Sequence, residues 1–72
     1  MWKLRCIDNN KTKEKIVKYS NIIGRSEVRS FFAENGYAMM DSQMESITYL
    51  RKGESLKFYF PNGIKRIEVE SL

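Results

Sequence analysis

LKFYFPNGIKRIEV, residues 56 to 69, is the stretch that decides the fold. Apolar and polar residues alternate on either side of Pro61-Asn62-Gly63. Asn-Gly flanked by such alternation is the strongest short-range hairpin signal, because both residues tolerate positive φ. With Asn62 and Gly63 as the loop, Phe60 faces Lys65, Tyr59 faces Arg66, Phe58 faces Ile67, Lys57 faces Glu68 and Leu56 faces Val69. Side chains alternate faces along a strand, so one face collects Leu56, Phe58, Phe60, Ile67 and Val69. The other sets Lys57 against Glu68 and Tyr59 beside Arg66. Opposite charges paired across strands are mildly stabilising. A ribbon built only to grip nucleic acid would not place acids beside its bases, so the pattern predicts one wall of a small core.

Working outward, MESITYLRKGES (44–55) reads as a further strand turning at Lys52-Gly53-Glu54. Either two-residue loop there puts Ile47 and Tyr49 on the face of Phe58. GYAMM (36–40) reads as a short strand and DSQM (41–44) as a turn. SEVRSFFAEN (26–35) reads as the helix. Ser26 can accept an orphan N–H as N-cap, Glu27 suits the positive end of the dipole, and Val28, Phe31 and Phe32 form one apolar stripe. Gly36 is the expected left-handed stop.

At the N-terminal end, Trp2, Leu4 and Cys6 alternate with Lys3, Arg5 and Ile7, and the polar stretch DNNKTK (8–13) reads as a loop. EKIVKYSNII (14–23) then returns as a second strand with Val17 and Tyr19 inward. Part of residues 13–23 can instead be helical, since Glu14 and Lys18 are i, i+4 partners. The β-formers Ile, Val and Tyr favour the strand. The assembly predicted is a single α+β domain over residues 1–72, a small antiparallel sheet in the order β-β-α-β-β-β-β packed on one short helix.

Composition narrows the chemistry. A chain of 72 residues is near the lower limit for folding unaided. Cys6 is the one cysteine and there is no histidine, so an internal disulfide is excluded and the usual zinc ligand set is missing. Core packing falls to the aromatics, four Phe and four Tyr with Trp2. No apolar run approaches the roughly 20 residues of a spanning helix, and MWKLRCIDNN lacks the apolar segment of a signal peptide. The expected compartment is the cytoplasm, with Cys6 reduced. Frequent Lys, Ile and Asn with only two alanines, Ala33 and Ala38, fit an AT-rich bacterial or phage coding sequence.

A reaction centre is hard to assemble from this inventory. The commonest general base is absent. Cys6 has no marked activator beyond Lys3 and Arg5, and reads as a small core residue. The carboxylates are scattered without a spacing that suggests a pair. Gly24-Arg25-Ser26 leads into a helix N-terminus, where an anion can bind, but it lacks the rest of a phosphate-binding fingerprint. No enzyme activity, cofactor, metal or small-molecule substrate is expected.

Charge is uneven. Residues 1–25 hold seven Lys/Arg against two Asp/Glu, or +5, and residues 26–72 hold six against seven, or −1, which together give the net +4. Lys3, Arg5, Lys11, Lys13, Lys15 and Lys18 are therefore the candidate nucleic-acid-binding residues. Lys11, Lys13 and Lys15 share a face if that stretch is extended, and Tyr19 or Trp2 can supply stacking.

The order helix, Asn35-Gly36-Tyr37, then short strands ending at Pro61-Asn62-Gly63 resembles the double-stranded-RNA-binding-like module of small bacterial mRNA-interferase toxins. In that family a Gly-Ser-His stretch on a strand follows, and its histidine is catalytic. Met44-Glu45-Ser46 occupies that region here, so the resemblance implies a non-cleaving relative of an RNA-binding fold. Two functions are carried forward. One is a non-enzymatic accessory protein that binds a partner protein or itself through open sheet edges, with Met39, Met40 and Met44 as adaptable apolar surface. The other is a nucleic-acid-binding module that uses the basic N-terminal third.

Overall fold

The structure, a computed structural model, describes residues 1–72. The elements run β1 (Trp2–Asp8), β2 (Lys11–Val17), α1 (Ile22–Glu34), α2 (Asp41–Thr48), β3 (Ser55–Tyr59) and β4 (Lys65–Ser71). The four strands form one antiparallel sheet in the order β2-β1-β4-β3. Both helices cover one face of it, and the class is the α+β expected.

The element order differs from expectation. It is β-β-α-α-β-β, because residues 41–48 form a second helix rather than a turn and a strand, and residues 37–40 are not a strand. Met44 and Ile47, at i and i+3, are buried beneath α2, whereas Tyr49 is 76% exposed instead of facing Phe58. Gln43 Oε1 accepts from the Met40 N–H (3.0 Å), satisfying a donor at the helix start, and Asp41 stands in the first turn.

Helix α1 also begins earlier than expected. Asn21, not Ser26, is the N-cap, and its Oδ1 accepts from the Gly24 N–H at 3.2 Å. The C-terminus is as the sequence suggested. Gly36 sits at φ 84°, the Tyr37 N–H bonds to Phe32 O (2.8 Å) and the Gly36 N–H to Ala33 O (3.0 Å). This is the Schellman pattern, and its accompanying apolar contact is the edge-on packing of Tyr37 on Phe32, centroids 5.5 Å apart.

The hairpin 56–69 has the predicted register: Leu56 opposite Val69, Lys57 opposite Glu68, Phe58 opposite Ile67 and Tyr59 opposite Arg66. Its loop is wider than the two residues expected. Phe60 and Lys65 close it (Phe60 N to Lys65 O, 3.0 Å), Gly63 N returns to Phe60 O, and Asn62 Oδ1 accepts from Ile64 and Lys65. At the other end the two-residue Asn9-Asn10 turn joins β1 to β2, so Lys11, Thr12 and Lys13 belong to the strand and not to the loop. Strand β2 ends at Val17, leaving Tyr19 outside the sheet and exposed rather than inward.

The core lies between helices and sheet. Trp2, Leu4, Cys6, Val17, Phe58, Ile67 and Val69 come from the strands; Val28, Phe31, Phe32, Met44 and Ile47 come from the helices. No helix is long and apolar enough to cross a membrane.

Candidate functional site

The candidate basic residues are divided between the two faces of the sheet. Lys3 and Arg5 point to the face that the helices leave open, and there they are met by acids. Lys3 Nζ is 3.7 Å from Glu14 Oε2, and Arg5 Nε is 3.3 Å from Glu14 Oε1. The Arg5 Nε is buried and makes no hydrogen bond, so its contact with Glu14 is an ion pair at poor angle rather than a charge-assisted hydrogen bond. Glu68 lies opposite Arg5 on the next strand and is held by Arg66 Nε at 2.7 Å. The middle row of this face thus reads Glu14, Arg5, Glu68, Lys57 across four strands. Alternating sign cancels the field at a distance, which is unsuited to a phosphate backbone.

Lys11, Lys13 and Lys15 do share a face, as expected, but it is the helix side. They lie opposite Asp8, Cys6 and Leu4. Because β2 is an outer strand, all its residues except Val17 are exposed, and none of these three lysines is in an ion pair. Lys18 follows the strand and is exposed. The Arg29–Asp41 ion pair ties one flank of α1 to α2. By helical spacing Glu27 and Glu34 stand on the opposite flank of α1.

The backbone at this edge can be assigned. The Leu72 N–H bonds to Met1 O (3.0 Å), making Met1 and Leu72 a hydrogen-bonded pair. Pairs alternate along an antiparallel ladder, so Lys3, Arg5 and Ile7 bond toward β4 while Trp2, Leu4, Cys6 and Asp8 bond toward β2. Lys11, Lys13, Lys15 and Val17 therefore face β1 with their backbone groups. The N–H and C=O groups of Thr12, Glu14 and Ile16 are left at the free edge. Sequence reasoning found these lysines and expected open sheet edges, but did not say which strands form them, because strand order is set by tertiary pairing.

Two polar hollows flank the strands. One of about 240 Å³ lies at the C-terminal end of α1, lined by Cys6, Asp8, Lys11, Lys13, Asn35 and Lys65. Lys65, which the sequence did not single out, bonds there to the Asn35 carbonyl. The other, about 250 Å³, opens on the uncovered sheet face between Lys3, Arg5, Glu68 and Glu70 beside Gly53 and Ser55. Cys6 lines the first hollow with Asp8 but makes no side-chain hydrogen bond, and no three His, Cys, Asp or Glu side chains converge in a metal-binding group. Met44-Glu45-Ser46 lies on α2. Comparison with known proteins finds no matching family model, curated protein or solved structure.

Proposed function

We propose that this chain is a small non-enzymatic binding module that engages a partner protein along the free edge of β2. The observation that carries the reading is that edge itself: seven residues long, exposed over all but Val17, with unpaired backbone groups and three unpaired lysines. An extended segment added there gains main-chain hydrogen bonds at once. The fold offers nothing comparable for chemistry, and the reading places the protein in the cytoplasm without a cofactor.

A second reading, nucleic-acid binding, is favoured by the same lysines being exposed on one face and in no ion pair. It is the weaker one. The positive strip is one strand wide, and Asp8 lies opposite Lys11 within it. Of the six candidates, Lys3 and Arg5 are on the other face with Glu14.

Affinity capture from the native host, with and without nuclease, separates the two. A stoichiometric protein partner retained after nuclease treatment is expected. Loss of all partners on nuclease treatment, together with a gel shift at low salt that Lys11, Lys13 and Lys15 to Ser abolishes, would replace the protein-binding reading with the nucleic-acid one.

A further inference from the structure

We infer that the segment accepted by β2 is an acidic strand, with carboxylates at alternate positions opposite Lys11, Lys13 and Lys15. The inference rests on the protein-binding reading above and adds the partner's chemistry and register. It follows from the ladder. An antiparallel strand added to β2 makes its hydrogen-bonded pairs with Thr12, Glu14 and Ile16, whose backbone groups face outward. Its remaining residues then lie opposite Lys11, Lys13 and Lys15 in the non-hydrogen-bonded positions, where Cα atoms are closest, about 4.5 Å apart. Cross-strand charge pairs act most strongly at that separation. A partner reading acid-x-acid-x-acid therefore meets three lysines on the helix side. Its two intervening side chains fall on the open face opposite Thr12 and Glu14, and a flanking residue meets the exposed Ile16.

A second β2 strand makes a poorer occupant at the registers that bring the lysines into the pairing. Two β2 strands paired about a two-fold axis set Lys13 against Lys15 when centred on Glu14, which then also faces itself. Centred on Lys13, they set Lys11 against Lys15. Like charges directly opposite are destabilising. The other outer strand, β3, carries no carboxylate, so β3 of a second copy can set Lys57 against Glu14 on the open face but leaves Lys11, Lys13 and Lys15 without an acid opposite them. The lysines act as a guard against self-pairing of the edge while leaving it open to a strand of opposite charge.

The test uses the full chain and two synthetic peptides of identical composition, one alternating glutamate with valine and threonine, the other with its glutamates contiguous. A single-stranded oligothymidylate is the third probe. The alternating peptide is expected to bind at least about tenfold more tightly than the block peptide. It is also expected to slow amide hydrogen exchange at Thr12, Glu14 and Ile16. Lys13→Glu with Lys15→Glu should weaken it by a further factor of about ten or more. If that double variant does not fold, an alternating peptide N-methylated at its edge-facing amides serves instead and should fail to bind. Equal binding of the two peptides, or binding without protection of those three amides, overturns the inference. Binding of the oligonucleotide but of neither peptide assigns the lysines to nucleic acid and also overturns it. A nuclease-resistant protein partner from the host, with no peptide binding, sinks the acidic strand but leaves the protein-binding reading standing.

Discussion

Lys65 Nζ donates to the backbone carbonyl of Asn35 at 2.6 Å, thirty residues away along the chain. Helix α1 has no basic residue in its own last turn, so strand β4 supplies the cation that the negative end of the helix lacks. The same ammonium stands 4.8 Å from the Phe60 ring centroid, which adds a cation–π attraction. One side chain thus ties helix end, hairpin loop and sheet together. Lys65→Met keeps the aliphatic stem and removes the charge. A loss of about 1–2 kcal/mol is expected, since a hydrogen bond to a charged group contributes on that order. Urea denaturation should show a lower midpoint at unchanged slope. An unmoved midpoint would mean the contact does not stabilise the fold.

Phe32 is the centre of the aromatic cluster. It is fully buried, and its ring meets Tyr37 and Phe58 edge-on at 5.5 and 5.2 Å. Tyr37 in turn packs on Phe60 and accepts from Gln43 Nε2, which brings α2 into the same unit. Phe32→Ala is expected to cost about 3–5 kcal/mol, a large share of the roughly 4–11 kcal/mol available to a chain this size. Phe31, slightly exposed and outside those ring contacts, should cost less on the same truncation. Thermal melts of Phe32→Leu and Phe31→Leu, which retain a folded baseline, rank the two. The reverse order would place the core's centre elsewhere.

The hairpin 56–69 was legible because a period of two cannot slip by one residue without turning Phe58 and Ile67 into water. Its loop width was not, since Asn62 caps two N–H groups through its side chain and the turn opens without changing register. Helix α2 was misread for a specific reason. Ile47, Thr48 and Tyr49 are β-formers, and Ile47 and Tyr49 at i, i+2 fit a strand, whereas Met44 and Ile47 at i, i+3 fit a helix. Tertiary burial of those two residues decided in favour of the helix. The candidate lysines were found by charge alone. Their division between two faces depended on where β2 begins, which Asn9 at φ 59° and the two-residue turn settled.

Gly24 carries a prediction that runs against helix propensity. Alanine in a helix interior is favoured over glycine by about 1 kcal/mol. Here, however, a Cβ on Gly24 would overlap the backbone carbonyl of Tyr19 and come within 3.3 Å of Val17 Cγ1. The first turn of α1 lies directly on the chain leaving β2, and backbone cannot rotate away as a side chain can. Gly24→Ala is therefore expected to destabilise by about 1–3 kcal/mol, the cost of overpacking. Gly24→Ser should do at least as badly. A raised melting temperature for Gly24→Ala would show that α1 does not approach residue 19 so closely.

Glu14 should matter little to stability despite having two basic partners. Its side chain is 47% exposed, and the distances to Lys3 and Arg5, 3.7 and 3.3 Å, belong to ion pairs without an aligned hydrogen bond. Surface pairs of this kind contribute about 0–1 kcal/mol, and salt screens them. Glu14→Gln is therefore expected to lower stability by less than about 1 kcal/mol at low salt. The difference should vanish as ionic strength approaches about 1 M, where the Debye length falls to about 3 Å. The two proteins should be compared by urea denaturation at both salt concentrations. A larger loss that persists in high salt would mean that Glu14 compensates the buried Arg5 Nε, making it part of the sheet's framework rather than its solvated face. In that case Arg5→Met combined with Glu14→Gln should recover most of the loss, because no buried donor would be left unpaired.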